Sequence, residues 1–131
     1  NFLYKVIIMN DENLIEHAIK AYKNAICPYS NYSVGASILT TDNKIISGFN
    51  IESKAYPTTL CAERVAIFSA LSQGYHKFSS LAVVTIDGGT PCGGCRQIIH
   101  EFAGDITIII SDIKKDYFKI MTKDLLPHPF G

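Results

Sequence analysis

The apolar positions of this chain change period several times, and each change marks a new element. From Asp11 to about Ile26, Leu14, Ile15, Ala18, Ile19, Tyr22 and Ile26 recur at three- and four-residue intervals. That spacing predicts a helix, capped by Asn10 or Asp11 and ended by Pro28. Val34 to Thr40 and Lys44 to about Asn50 read as strands joined by a Thr41-Asp42-Asn43 turn. Ile51 to Thr59 has no clean period and contains Pro57, so it reads as a loop. A second helix is predicted from Leu60 to about Gln73, ending at Gly74 and packing through Ala62, Val65, Ala66, Phe68, Ser69 and Leu71. Leu81 to Ile86 is a short, mostly apolar run of the kind that forms a central strand. Asp87-Gly88-Gly89-Thr90-Pro91 then turns the chain into a third helix, Cys92 to about Phe102. Ile106 to Ser111 and Tyr117 to Met121 follow as strands, and Lys123 to Leu126 as a last helical turn. The order α-β-β-α-β-α-β-β predicts one sheet with helices on its faces.

Composition narrows what such a fold can do. With 131 residues, 47% of them hydrophobic and 18% charged, the chain is expected to form one globular domain over residues 11–131. Residues 1–10 form an extension to which no function is assigned; the chain opens without methionine, and Met9 offers an internal start. Twelve Lys and Arg balance 12 Asp and Glu, and without a basic cluster the sequence argues against nucleic-acid binding. A small neutral substrate fits better. The high apolar fraction suggests buried subunit contacts. No signal-like segment and no membrane-length apolar run are read, so a reducing cytoplasm is the expected compartment and the four cysteines are expected as thiols.

Three of those thiols carry the chemistry. Cys61-Ala62-Glu63 is answered by Pro91-Cys92-Gly93-Gly94-Cys95. A catalytic zinc site takes three protein ligands and keeps a fourth position for water, and the two segments supply three cysteines. Glu63, two residues after the first, is placed to move protons, as in the zinc nucleobase deaminases. Both segments fall at predicted helix starts, where the backbone dipole favours thiolates and carboxylates. Three thiolates leave a zinc centre with net negative charge; Arg64 and Arg96, each beside a site residue, are candidates to hydrogen-bond the sulfurs. Cys27 is expected as a small packing residue rather than a fourth ligand. His17, His76, His100 and His128 lie outside the motif and read as surface or packing residues.

Beyond the metal motif, the sequence resembles the small, homotetrameric cytidine deaminases of nucleoside salvage, over nearly the whole chain after residue 10. The resemblance is carried by Pro28-Tyr29-Ser30-Asn31-Tyr32-Ser33-Val34-Gly35-Ala36, by Asn50-Ile51-Glu52 with Ala55-Tyr56-Pro57, and by Cys61-Ala62-Glu63-Arg64. Pro91 to Gln97 and Leu125-Leu126-Pro127 with Phe130 complete it. It implies a three-layer α/β/α fold, a mixed five-stranded sheet with helices on both faces. It also implies one zinc per subunit on Cys61, Cys92 and Cys95, and Glu63 as the catalytic acid and base. Asn50 and Glu52 would hold the ribose hydroxyls and Tyr32 would line the base and sugar site. The Ala62 backbone N–H would bind the pyrimidine carbonyl, and the Thr90 backbone carbonyl would face the departing amino group. Tyr56 and Phe130 match aromatics that reach active sites across subunit contacts. Two departures stand out: Tyr32 replaces the usual phenylalanine, adding a hydroxyl that needs a partner or water, and Ser53-Lys54 replaces small or amide residues.

The resulting reading is hydrolysis of cytidine and deoxycytidine to uridine and deoxyuridine with release of ammonia. Two alternatives stay open at this point. A blasticidin-type antibiotic deaminase shares the metal motif but departs from the Asn50-x-Glu52 pair. A non-catalytic zinc or redox module would draw Cys27 in with the other three thiols and be indifferent to Glu63.

Overall fold

A computed structural model of the chain describes residues 10–131, so the extension expected over 1–10, Met9 included, lies outside the described residues except for Asn10. Helix α1 spans Asp11–Tyr22, and the Asn10 side chain accepts the Asn13 N–H at 2.9 Å, the N-cap that the sequence predicts. Strands β1 (Gly35–Thr40) and β2 (Ile45–Phe49) form the hairpin, and α2 (Ala62–Ser72) follows the long loop. Then come β3 (Phe78–Thr85), α3 (Gly93–Ala103), β4 (Thr107–Asp112), β5 (Tyr117–Met121) and the short α4 (Thr122–Leu125).

The five strands make one mixed sheet in the order β2-β1-β3-β4-β5, with β3 and β4 parallel and the other pairs antiparallel. Alternation along the central strand divides the core. Leu81 and Val83 face a layer with Ala66, Ile67 and Ala70 of α2 and Ile99 of α3, while Ala82 and Val84 face Leu14, Ile15 and Ala18 of α1. Helices therefore cover both faces, giving the three layers of the expected fold. Among the described residues no helix is long and apolar enough to cross a membrane.

Strand direction gathers one end of the sheet into a site. Because β1 runs antiparallel to both neighbours, Gly35 sits opposite Phe49 and Val84, so Val34, Asn50 and Thr85 lie side by side at the same edge. Gly48 then brings the start of α2 close to that edge. A Cβ there would stand 2.5 Å from the Ala66 nitrogen and 2.8 Å from the Ala62 carbonyl oxygen, so only glycine lets the helix lie so near β2.

Several boundaries differ from those the periodicity predicts. Helix α1 stops at Tyr22 rather than near Ile26, because Ile26 is drawn into an isolated bridge with Ile51, donating to the Asn50 carbonyl and accepting from the Glu52 N–H. The loop from Ile51 to Thr59 is not wholly irregular: Tyr56–Thr58 forms a 3₁₀ turn and Ile51 bridges Leu60. Strand β3 begins at Phe78 and ends before Ile86, which is exposed. The buried stripe of α2 is Ala62, Glu63, Ala66, Ile67 and Ala70, not the predicted one through Phe68. Glu63 occupies a core-facing position, which turns Phe68 outward, where its ring meets Phe102 edge-on at 6.0 Å.

Candidate active site

Helices α2 and α3 begin at the same place, and each has a cysteine at its N-cap position. Cys61 is the N-cap of α2 and Cys92 that of α3, where the Cys92 sulfur accepts the Cys95 N–H at 3.4 Å. The ligand atoms of Cys61, Cys92 and Cys95 all lie within 4.8 Å of one another. Cys27 is elsewhere, its sulfur 3.2 Å from the Ser33 hydroxyl, so the thiol cluster has three members.

The protein around these sulfurs suits a cation. The Cys61 thiol is brought down to about 6, chiefly by its hydrogen bond with Cys95 and with help from Arg64, against the effect of burial. The Cys95 thiol is driven far up, first by that same bond with Cys61 and then by burial. Without a metal only part of the cluster can ionise, whereas a divalent soft cation lets all three act as thiolates. Arg64 presses on the same cluster. Its guanidinium is packed against Gly94, burial opposes its charge, and the nearby Cys95 and Cys61 sulfurs outweigh that effect. Among the described residues its Nε is a buried side-chain donor without a partner.

Arg96 does something else. It donates to the Pro91 carbonyl at 2.7 Å, the Leu125 carbonyl at 2.9 Å and the Thr90 hydroxyl at 3.0 Å. The expected donation to a thiolate gives way to a role in tying the Pro91 turn to α4.

A cavity of about 300 Å³ opens onto the thiols, lined among others by Tyr32, Asn50, Glu52, Cys61, Ala62, Glu63, Thr90 and Cys92. Glu63 is only 4% exposed, and burial, its largest influence, raises its carboxyl from the ordinary 4.5 to about 7, with the Cys61 charge adding to the rise. A carboxyl poised near neutrality can both take and give a proton. The Cys61 side chain makes no cap hydrogen bond to the start of α2, and Ala62 at that start lines the cavity.

Glu52 and Asn50 line the same cavity as the thiols and already hold the loop. The Glu52 Oε1 accepts the N–H groups of Tyr29 and Ser30 at 3.0 and 3.1 Å, and its carboxyl lies below the ordinary range, mainly through Ser30. Asn50 accepts from the Val34 N–H at 2.9 Å and donates to the Tyr32 carbonyl at 2.8 Å. Oε2 of Glu52 and the second N–H of Asn50 are not used in these bonds. The Tyr32 hydroxyl, whose partner the sequence leaves open, donates to the Asp87 Oδ1 at 2.6 Å. Burial and that bond raise the Tyr32 phenol, and the same bond leads the lowering of the Asp87 carboxyl.

The structure does not bring every predicted residue to the cavity. Tyr56 is 72% exposed and meets Tyr29 edge-on at 5.9 Å, and Phe130 is 88% exposed. The tail is nonetheless anchored, since the Gln97 amide donates to the Phe130 carbonyl at 2.9 Å and accepts its N–H at 3.0 Å. Thr85 and Gly89, which line the cavity, and Asp87 behind it are among the residues that sequence reasoning missed, as are the lining residues Ser30 and Thr59. The unpaired hydroxyl predicted for Tyr32 was the one signal toward Thr85, Asp87 and Gly89.

Residues 8–111 match a model of the cytidine and deoxycytidylate deaminase zinc-binding region. A cytidine deaminase from Sporosarcina psychrophila is 43% identical over 126 residues, 94% of this chain and 93% of the relative. The crystal structure of cytidine deaminase from Burkholderia pseudomallei superposes with a TM-score of 0.89 at 39% identity, covering 93% of this chain and 100% of the other. A blasticidin-S deaminase from Bacillus cereus is 32% identical over 108 residues, 75% of this chain and 76% of its own. The match to the zinc-binding region spans the helix starts that gather the three sulfurs, so zinc is the cofactor to which their chemistry points. Carrying both that region and this fold, the chain belongs to the zinc-dependent cytidine deaminase family.

Proposed function

We propose that this chain is the enzyme that hydrolyses the exocyclic C–N bond of cytidine and deoxycytidine in pyrimidine salvage. Water adds, ammonia leaves, and uridine or deoxyuridine is the product. One observation carries the reading: the buried Glu63 carboxyl stands beside the Cys61, Cys92 and Cys95 cluster on the wall of a cavity large enough for a nucleoside.

Cys61, Cys92 and Cys95 would hold one zinc per subunit, which when bound supplies the Lewis acidity that makes water acidic near neutral pH. Glu63, with its carboxyl near 7, takes one proton from the attacking water and delivers it to ring nitrogen 3, then takes the remaining proton from the hydroxyl added at carbon 4 and delivers it to the leaving amino group. The Ala62 N–H binds the pyrimidine carbonyl, and the Thr90 carbonyl accepts from the amino group. On the other wall, Tyr32 packs against the base and sugar. The groups left over on Asn50 and Glu52 bind the ribose hydroxyls, Glu52 as an acceptor kept ionised by two backbone N–H groups. That use of Asn50 and Glu52 favours cytidine over a blasticidin-type substrate, and Cys27's place beside Ser33 disfavours a four-thiol structural site.

Residues 11–131 would act as one catalytic domain in a homotetramer. The anchored tail supports this: Gln97 fixes the Phe130 backbone while its ring, like that of Tyr56, projects from the protomer, as suits aromatics that complete a neighbour's cavity. The need for three reduced thiols fits a cytoplasmic location. Zinc-loaded protein should remove the ultraviolet band of cytidine; no turnover would refute the proposal, and turnover unaffected by a chelator would refute the role of the metal.

A further inference from the structure

We infer that Asp87 is a positioning residue for the deamination site: through one carboxylate oxygen it fastens the Tyr32 wall of the cavity to the Gly89–Thr90 wall. The inference rests on the reading that the cavity holds the nucleoside. Asp87 lies at the turn after β3, behind the lining residues, and would not touch substrate.

The direction of each hydrogen bond is fixed. The Gly89 N–H donates to the Thr85 hydroxyl at 2.7 Å, so the single Thr85 proton is free to go forward, and it goes to the Asp87 Oδ1 at 3.2 Å. The Tyr32 hydroxyl donates to the same oxygen at 2.6 Å. A carboxylate that receives two hydroxyls therefore joins residues 32, 85 and 89, all three of which line the cavity. Thr85 is nearly fully buried and cannot yield. Tyr32 is held at its other end by Asn50, so its ring spans the site between two fixed points.

The two walls also touch directly. A Cβ at Gly89 would stand 2.7 Å from the Tyr32 hydroxyl oxygen, inside normal contact, so the tyrosine tip fits over a bare backbone. Thr90, the next residue, is tied down separately by Arg96. Releasing Asp87 thus frees Tyr32 and the Gly89 end of the turn without touching the thiols or Glu63. The consequence falls on how tightly the nucleoside is gripped rather than on proton transfer.

Steady-state kinetics on cytidine and calorimetric binding of uridine, with the zinc-loaded full chain, test this. Tyr32→Phe and Asp87→Ala should each raise KM and the uridine Kd about tenfold, the effect of losing a hydrogen bond to a charged group, with kcat changed far less. The double variant should be no worse than Asp87→Ala alone, because both remove the same link. Asp87→Asn, which keeps an oxygen acceptor at the same place, should restore most of the affinity. A merely structural role would instead lower thermal stability and leave KM unmoved. Unchanged KM in Asp87→Ala, or fully additive effects in the double variant, would overturn the inference. Absence of cytidine turnover by the wild type would overturn the deaminase reading, a result distinct from normal turnover with KM unmoved.

Discussion

Replacing Glu63 by glutamine should make the metal-free protein more stable while stopping catalysis. The carboxyl is raised from 4.5 to about 7 mainly by burial. For an acid whose folded pKa lies above its unfolded value, the stabilisation is complete below the unfolded value and is lost as pH rises through the folded one. Wild-type protein stripped of zinc should therefore lose stability between pH 4.5 and a little above 7 on account of this group. At about 1.4 kcal/mol for each tenfold difference, the loss amounts to roughly 3 kcal/mol. Glutamine keeps the shape and cannot ionise, so Glu63→Gln escapes it. Cys61 works in the opposite sense, since its lowered thiol adds stability as pH rises from about 6 toward 9, but that contribution belongs to both proteins and is reduced in the difference. Denaturant unfolding with chelator present, at pH 5 and pH 8, reads the quantity directly. The gap between the curves should be small at the lower pH, where part of the loss has already begun, and several times larger at the higher. In zinc-loaded protein, kcat should fall by about three to four powers of ten. Equal midpoints at both pH values would refute the burial penalty, and retained kcat would refute the acid and base role.

Three other outcomes follow from particular contacts. Arg64→Gln removes the cation packed beside Cys61 and Cys95 and should weaken zinc retention about tenfold in a chelator competition, with the fold preserved. Phe130→Ala should leave protomer unfolding within about 0.5 kcal/mol because its ring is exposed, yet raise the KM for cytidine and shift the sedimentation profile toward smaller species. Deoxycytidine 5′-monophosphate should react at least about a hundredfold less efficiently than deoxycytidine, because among the described residues of the protomer the carboxylates of Glu52 and Glu63 line the cavity and no Lys or Arg there would receive a phosphate; comparing kcat/KM for the two substrates decides it.

The order of elements was legible in the sequence because each strand of the core is short, apolar and bounded by turn residues, and local patterns need no tertiary knowledge to be read. The errors arose where a distant partner decides. Ile26 fits the period of α1 perfectly well, but its backbone completes the Asn50–Glu52 segment, and pairing in a bridge outweighs one more helical turn. Phe68 is a strong apolar signal on α2, yet the helix is rotated so that a carboxyl faces inward. A hydrophobic count cannot foresee that, because burying Glu63 is unfavourable for folding and makes sense only through the chemistry of the site.

The same distinction governs the site itself. Cys61, Glu63, Cys92 and Cys95 were readable because metal ligation and proton transfer restrict residue type and spacing, and the two segments announce themselves at helix starts. Arg64 and Arg96 look equivalent in sequence, each next to a site residue, and the fold separates them. One guanidinium is pressed against Gly94 at the thiols, while the other reaches the carbonyls of Pro91 and Leu125. Asp87 was hidden for a related reason. A Gly-rich turn offers an aspartate for its backbone chemistry alone, so nothing local marks it as the partner of a tyrosine 55 positions earlier. The hydroxyl of Tyr32 supplied half of that pair, since a polar tip beside an apolar cavity must be satisfied. The other half required the antiparallel pairing of β1 with β3, which sets the end of one strand beside the start of the other and brings the two loops together.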